Sequence, residues 1–167
     1  MKDEAKKQLK QILGAYEERL EEASRREAAS RAAKDAFPLR FSTLRKEMFL
    51  PVLGEIAEML NARGHEATVR EQEESSTTVG GVSSAAVGLC VVPKPFVQKT
   101  TDTKKSFVEI MFSANRSEQK IVVSTTNTIM NSGGGVGKRG EYELERMTGD
   151  VVVDQVLRTL EEAFTRE

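Results

Sequence analysis

An α+β fold is the prediction for this sequence, and three observations carry it. Residues 1–36 contain no proline and a single glycine, Gly14, and are dominated by Ala, Glu, Lys, Arg and Leu, the strong helix formers. From His65 to about Met147 the apolar spacing drops to two, with turn residues between the runs, as in half-buried strands. After Thr148 and Asp150 the spacing returns to a helical period. Within the middle region no helix separates one strand from the next, so no βαβ unit is expected and the sheet should be antiparallel.

The first element is one long helix over residues 3–36. Leu9, Leu13, Tyr16, Leu20 and Ala23 recur at alternating spacings of four and three, which marks a heptad seam and a candidate coiled-coil segment. Glu21 with Arg25, Glu22 with Arg26 and Glu27 with Arg31 stand in the favourable i,i+4 order. The seam then thins to alanines. A narrow apolar stripe on a charged rod needs a cover: the body of the domain, a copy of itself, or a partner helix. Phe37-Pro38 should break this helix, because proline removes a donor and disfavours helical geometry before it. Ser42 or Thr43 is then the expected cap of a second helix, 44–63. Leu44, Met48, Val52, Ile56, Met59 and Leu60 form its core face, widened by Phe49 and Leu53. Pro51 should kink or divide it near Leu50, and Gly64 should end it.

Five strands follow. Ala67, Val69 and Glu71 alternate with polar neighbours in the first, and Ser75–Gly81 reads as a turn. Ser84–Val92 is the second, closed by Pro93-Lys94-Pro95, and residues 93–105 read as a long basic loop. Ser106–Ser113 and Lys120 to about Met130 form a hairpin around Ala114–Glu118. Residues 131–140 read as a Gly-rich loop before a fifth strand, Glu141–Met147, with Tyr142 and Leu144 inward. The last helix is expected over 151–165. The expected architecture is thus a helical arm, 1–36, joined to one domain, 37–167. In that domain a meandering five-stranded antiparallel sheet has helices 44–63 and 151–165 on one face.

Composition narrows the function classes. The chain has 167 residues, 38% hydrophobic and 31% charged, with 25 Lys+Arg against 26 Asp+Glu. That is too apolar and too balanced for a disordered protein, and long enough to hide roughly 70% of its unfolded surface. One Cys and one His exclude a disulfide within the chain and a Cys/His zinc site within one copy. No run approaches a membrane span, and the start Met1-Lys2-Asp3-Glu4 does not resemble a signal peptide. A soluble cytoplasmic protein is expected. The near-neutral total conceals an asymmetry: residues 93–140 carry 8 basic and 3 acidic side chains, and residues 141–167 carry 3 and 8. These two segments can pair with each other in the fold, or the basic one can meet an anionic partner.

Catalytic and cofactor patterns are weak. Gly133-Gly134-Gly135-Val136-Gly137-Lys138 lacks the P-loop glycine at Ser132 and the following Ser/Thr at Arg139, and a strand rather than a helix should come next. His65 would face Cys90 if the first hairpin centred near Thr77-Thr78, but Cys90 within Leu89-Cys90-Val91-Val92 reads as a small buried hydrophobe. No catalytic, metal or cofactor site is therefore expected. The reading that remains is a non-enzymatic protein-interaction or adaptor module, acting as a homo-oligomer or on another protein through its N-terminal helix. Leu9, Leu13, Tyr16, Leu20 and Ala23 would be the association seam. The alternative is an anion- or small-ligand-binding domain (nucleic acid, acidic lipid or phosphate). It would use Lys94, Lys99, Lys104, Lys105, Lys138 and Arg139 on loops 93–105 and 131–140. A pI near 6.0 and an acidic last helix weigh against a dedicated nucleic-acid binder.

Overall fold

A computed structural model describes residues 2–76, 79–97, 106–129 and 135–165. The chain forms two compact units, Met1–Ala36 and Phe37–Glu167. The elements are α1 (Asp3–Leu44), a π-helical turn (Arg45–Phe49), α2 (Leu50–Ala62), β1 (Glu66–Gln72), β2 (Ser75–Ser76), β3 (Val82–Ser83), β4 (Ala86–Val92), α3 (Lys94–Val97), β5 (Val108–Asn115), β6 (Lys120–Asn127), β7 (Gly135–Glu143), a 3₁₀ turn (Leu144–Arg146) and α4 (Gly149–Thr165). This is the α+β arrangement expected from the sequence.

The sheet has the order β1-β4-β5-β6-β7, each neighbour antiparallel. It is the meander anticipated above, with β2 and β3 forming a small ribbon at the tip of the first hairpin. Its helix-covered face aligns Ala67 with Val91 and Val108, Val69 with Leu89 and Ile110, and Phe112 with Val123. Helix α2 packs over β1 and β4, and α4 over β5. The largest fully buried side chains include Phe37, Phe41, Phe49, Phe112, Leu53 and Leu89.

Pro38 does not break α1, which runs on to Leu44. An interior proline costs a hydrogen bond and about 3 kcal/mol, but Phe37 and Phe41 flank it and are fully buried. Each such ring contributes on the order of 2–3 kcal/mol on burial, so packing outweighs the lost bond. Ser42 and Thr43 consequently lie inside the helix and cap nothing. The discontinuity falls instead at the π turn, just before Pro51, whose missing N–H leaves the Glu47 carbonyl without its usual donor.

That turn moves the centre of the buried face, while Leu44, Met48, Val52, Ile56 and Leu60 still pack, partly buried, against the core as expected. The residues turned inward are Phe37, Phe41, Arg45, Phe49, Leu53 and Ala57, each four apart. In an α-helix a step of four drifts about 40° around the axis. The wider π turn drifts the other way, so the stripe stays on one side. Met59, placed on the core face by a uniform 3.6 period, is 67% exposed.

Arg45 sits in this stripe and is 4% exposed. Its Nη2 donates to Glu73 Oε1 at 2.6 Å and its Nη1 to the Gln72 carbonyl at 3.3 Å, while Glu71 lies 3.7 Å from Nε. The guanidinium thus ties the π turn to the end of β1. Asn61 ties the end of α2 to the start of β1: its amide accepts from Ala67 N–H at 2.8 Å and donates to Ala67 C=O at 3.0 Å.

Two of the loop boundaries move. Strand β7 begins at Gly135, so residues 135–140 of the expected loop are strand, and the expected strand 141–147 ends at Glu143 in a 3₁₀ turn. Glycine has low strand propensity, but here ladder pairing with β6 from Asn127–Gly135 onward overrides it. Tyr142 and Leu144 still pack against the core. Part of loop 93–105 is the short helix α3, whose one proline, Pro95, falls in its first turn. Residues 98–105 and 131–134 lie outside the described residues.

Candidate functional site: the helical seam and the basic side chains

Unit Met1–Ala36 is a single stretch of α1. Leu9, Leu13, Tyr16 and Leu20 are 45, 49, 58 and 52% exposed, with Ile12 beside them at 65%. Ala23 is exposed too. About half of each large seam side chain is therefore open to water. The anticipated i,i+4 pairs form along the rod: Arg25–Glu21 at 3.4 Å, Arg31–Glu27 at 3.3 Å, and Arg26–Glu22. Pairs this exposed contribute a few tenths of a kcal/mol each, enough to favour the helix without covering its stripe.

Among the described residues of the second unit, Lys120, Lys138 and Arg139 are engaged with acidic side chains. Lys138 bonds Glu141, which also lies 3.9 Å from Lys120. A bulge sets Val123 opposite Gly140 and Ser124 opposite Lys138, leaving Arg139 as the extra residue. Bulges re-aim side chains: Arg139 reaches Glu162 of α4 with both terminal nitrogens, one at 2.7 Å, and Thr125 Oγ1 at 3.3 Å. The hydrogen bond that Arg139 donates to Glu162 raises the Arg139 pKa, against a smaller opposing effect of burial. Three basic side chains of segment 93–140 thus pair with the acidic tail within the fold. Lys94 donates its backbone N–H to His65 Nδ1 at 3.1 Å. Lys99, Lys104 and Lys105 lie outside the described residues.

Cys90 and His65 do not face each other. Thr68 stands opposite Cys90, and His65 lies three positions before Thr68, just ahead of β1. The imidazole stacks on Phe164 of α4 at 5.4 Å, whereas Cys90 is buried on the sheet's other face. An open hollow of about 350 Å³ is lined by Leu39, Arg40, Thr43, Leu44, Glu47 and Leu144. Arg40 at its rim bonds Glu145. Among the described residues no group of three or more His, Cys, Asp or Glu could hold a metal ion, and no helix is long and apolar enough to cross a membrane.

The Arg40–Glu145 pair makes a pH prediction. Its hydrogen bond lowers the Glu145 pKa from the ordinary 4.5. A lowered folded-state pKa gives stability that is present above the unfolded value and lost as pH falls through the folded one. Between pH 6 and pH 3 the wild type should therefore lose more stability than Glu145→Gln. The two urea midpoints should differ at pH 6 and converge at pH 3; equal slopes with pH would show that the pair does not form in solution.

The buried Arg45, with Glu71 and Glu73, is a feature that sequence reading missed. Its signal was present as an arginine inside an apolar spacing of four. No family model matches the chain, and comparison with curated proteins and with solved structures returns no match.

Proposed function

We propose that this chain is a protein-interaction module that self-associates through the N-terminal part of α1. The observation that carries the reading is the half-exposed seam Leu9, Leu13, Tyr16 and Leu20 on a helix otherwise covered in charge. Covering each of these side chains would contribute roughly 1 kcal/mol, which offsets the entropic cost of association only if several are buried together. The engagement of Lys138 and Arg139 by Glu141 and Glu162 makes those two side chains poor candidates for an anion site. The proposed site of action is the cytoplasm, where a chain with one cysteine needs no oxidising compartment.

The test is the solution mass of the full chain by light scattering over a concentration series, beside Leu13→Glu/Leu20→Glu. Both leucines are surface positions in the single chain, and glutamate is a good helix former, so helicity by circular dichroism should be unchanged. The wild type should be a dimer or larger. The variant, which would have to bury carboxylates in the seam, should associate about 100-fold more weakly or not at all. A wild type that stays monomeric at several hundred micromolar, or a variant of unaltered mass, would sink the reading.

A further inference from the structure

We infer that two copies pair antiparallel through α1, with Leu9 against the partner's Leu20 and Leu13 against the partner's Tyr16. This rests on the self-association proposed above and adds its partner, direction and register. The argument is charge complementarity around the seam. In heptad notation the spacing puts Leu13 and Leu20 at a, and Leu9, Tyr16 and Ala23 at d. The flanking e positions are then Lys10 and Glu17, and the g positions include Ile12, Arg19 and Arg26. All of these flanking side chains are exposed.

A parallel in-register pair stacks identical residues at a and d. It would set Lys6 on Lys6 and Glu27 on Glu27 in the layers beyond the apolar ones. Its g-to-e′ contacts would be Ile12 with Glu17, Arg19 with Ser24 and Arg26 with Arg31, none of them an attractive ion pair. Like charges held face to face are destabilising. Reversing one helix removes these conflicts. In an antiparallel pair e faces e′, so Lys10 meets the partner's Glu17, and by symmetry this happens twice. The outer layers become Lys2 against the partner's Glu27 and Lys6 against the partner's Ala23. The aliphatic stems of Arg19 can cover Ile12 on the g side.

The register is fixed by the same count. Sliding one helix by a heptad in either direction opposes Leu20 to Lys2 and Tyr16 to Lys6, or Leu9 to Glu27. Only the stated alignment puts all four large apolar side chains against one another, and it keeps both Lys10–Glu17 pairs. Opposite charges flanking a seam set partner orientation more than raw affinity.

Charge reversal on the full chain tests this by sedimentation equilibrium. Lys10→Glu alone and Glu17→Lys alone each turn two attractions into two repulsions, and should weaken dimerisation about tenfold. The double swap Lys10→Glu/Glu17→Lys should return to within about twofold of wild type, because the pairs re-form with signs exchanged. The direction has a separate readout in a Cys90→Ala background. Chains with Leu13→Cys mixed with chains carrying Tyr16→Cys should form the mixed disulfide, while Leu13→Cys alone should not link to itself. A dimer in which the single reversals are neutral, or in which Leu13→Cys links readily to itself, overturns the antiparallel arrangement and leaves self-association standing. A monomer overturns both.

Discussion

Phe49→Ala should cost about 3–5 kcal/mol of stability, the range for removing a fully buried ring and leaving a cavity. Phe49 is wholly inaccessible. Its ring centroid lies 4.9 Å from that of Phe112 at the middle of the sheet and 6.1 Å from that of Phe41 on α1. It is thus the point at which the π turn fastens the helical stripe to the strands. Phe164→Ala is the matched comparison, since that ring is 41% exposed and only stacks on His65; it should cost less than about 1 kcal/mol beyond its partial burial. Urea unfolding of both variants reads the difference as a shift in midpoint at constant slope. Equal midpoints would mean that Phe49 is not in the core, and the six-residue stripe would then fail with it.

That stripe shows what the sequence made legible and what it hid. Strand identity, strand order and helix placement followed from periodicity, because alternation of two and spacing near four are direct images of which side chains meet water. The sheet was readable for a further reason: no long helix intervenes between its strands, so sequence neighbours become antiparallel ladder neighbours. The phase of α2 was readable in large part: Leu53 was placed inward from its spacing and is buried, and Val52, Ile56 and Leu60 pack against the core. Met59 was misplaced and Ala57 missed, because the π turn at Arg45–Phe49 shifts the centre of the stripe away from a uniform 3.6 period. Pro38 misled in the same way, since its local cost was weighed without the two buried phenylalanines beside it. In β7 the glycines masked a strand whose order comes from pairing with β6 and not from its own side chains.

For the candidate site the balance differs. The seam on α1 is a matter of spacing alone, and every seam residue named from the sequence lies on one continuous helix. Of the anion-binding candidates, Lys138 and Arg139 take part in ion pairs, and a bulge opposite Val123/Ser124 decides where Arg139 points, which no local pattern announces. The proposed function therefore rests on the half-exposed seam, and the proposed direction of pairing on the charges beside it.

Gly88→Ala should be the other severe substitution, costing about 3 kcal/mol by forcing two strands apart. All seven residues of β4 are buried, although only one face of the sheet carries helices. On the open face Ala86 and Cys90, with small side chains, and Gly88, with none, lie under longer side chains from both neighbours. Arg70 of β1 reaches across β4 to Glu109 of β5 at 3.0 Å, and Met111 stands opposite Gly88. A Cβ at position 88 would fall 2.2 Å from the Ile110 carbonyl oxygen and 2.3 Å from Met111 Sδ. The sulfur can swing away, but the carbonyl belongs to β5, so relief requires β4 and β5 to separate and ladder bonds to lengthen. Alanine's usual advantage over glycine in a strand, about 0.5–1 kcal/mol, is too small to compensate. Gly137→Ala on the edge strand β7 supplies the contrast, because its Cβ would meet nothing within 4 Å and only that small gain should remain. If both variants unfold at the same urea concentration, β4 and β5 have room that this packing does not allow. If Gly88→Ala alone collapses, the glycine is there because β4 lies too close to the Ile110 carbonyl of β5 to admit a Cβ.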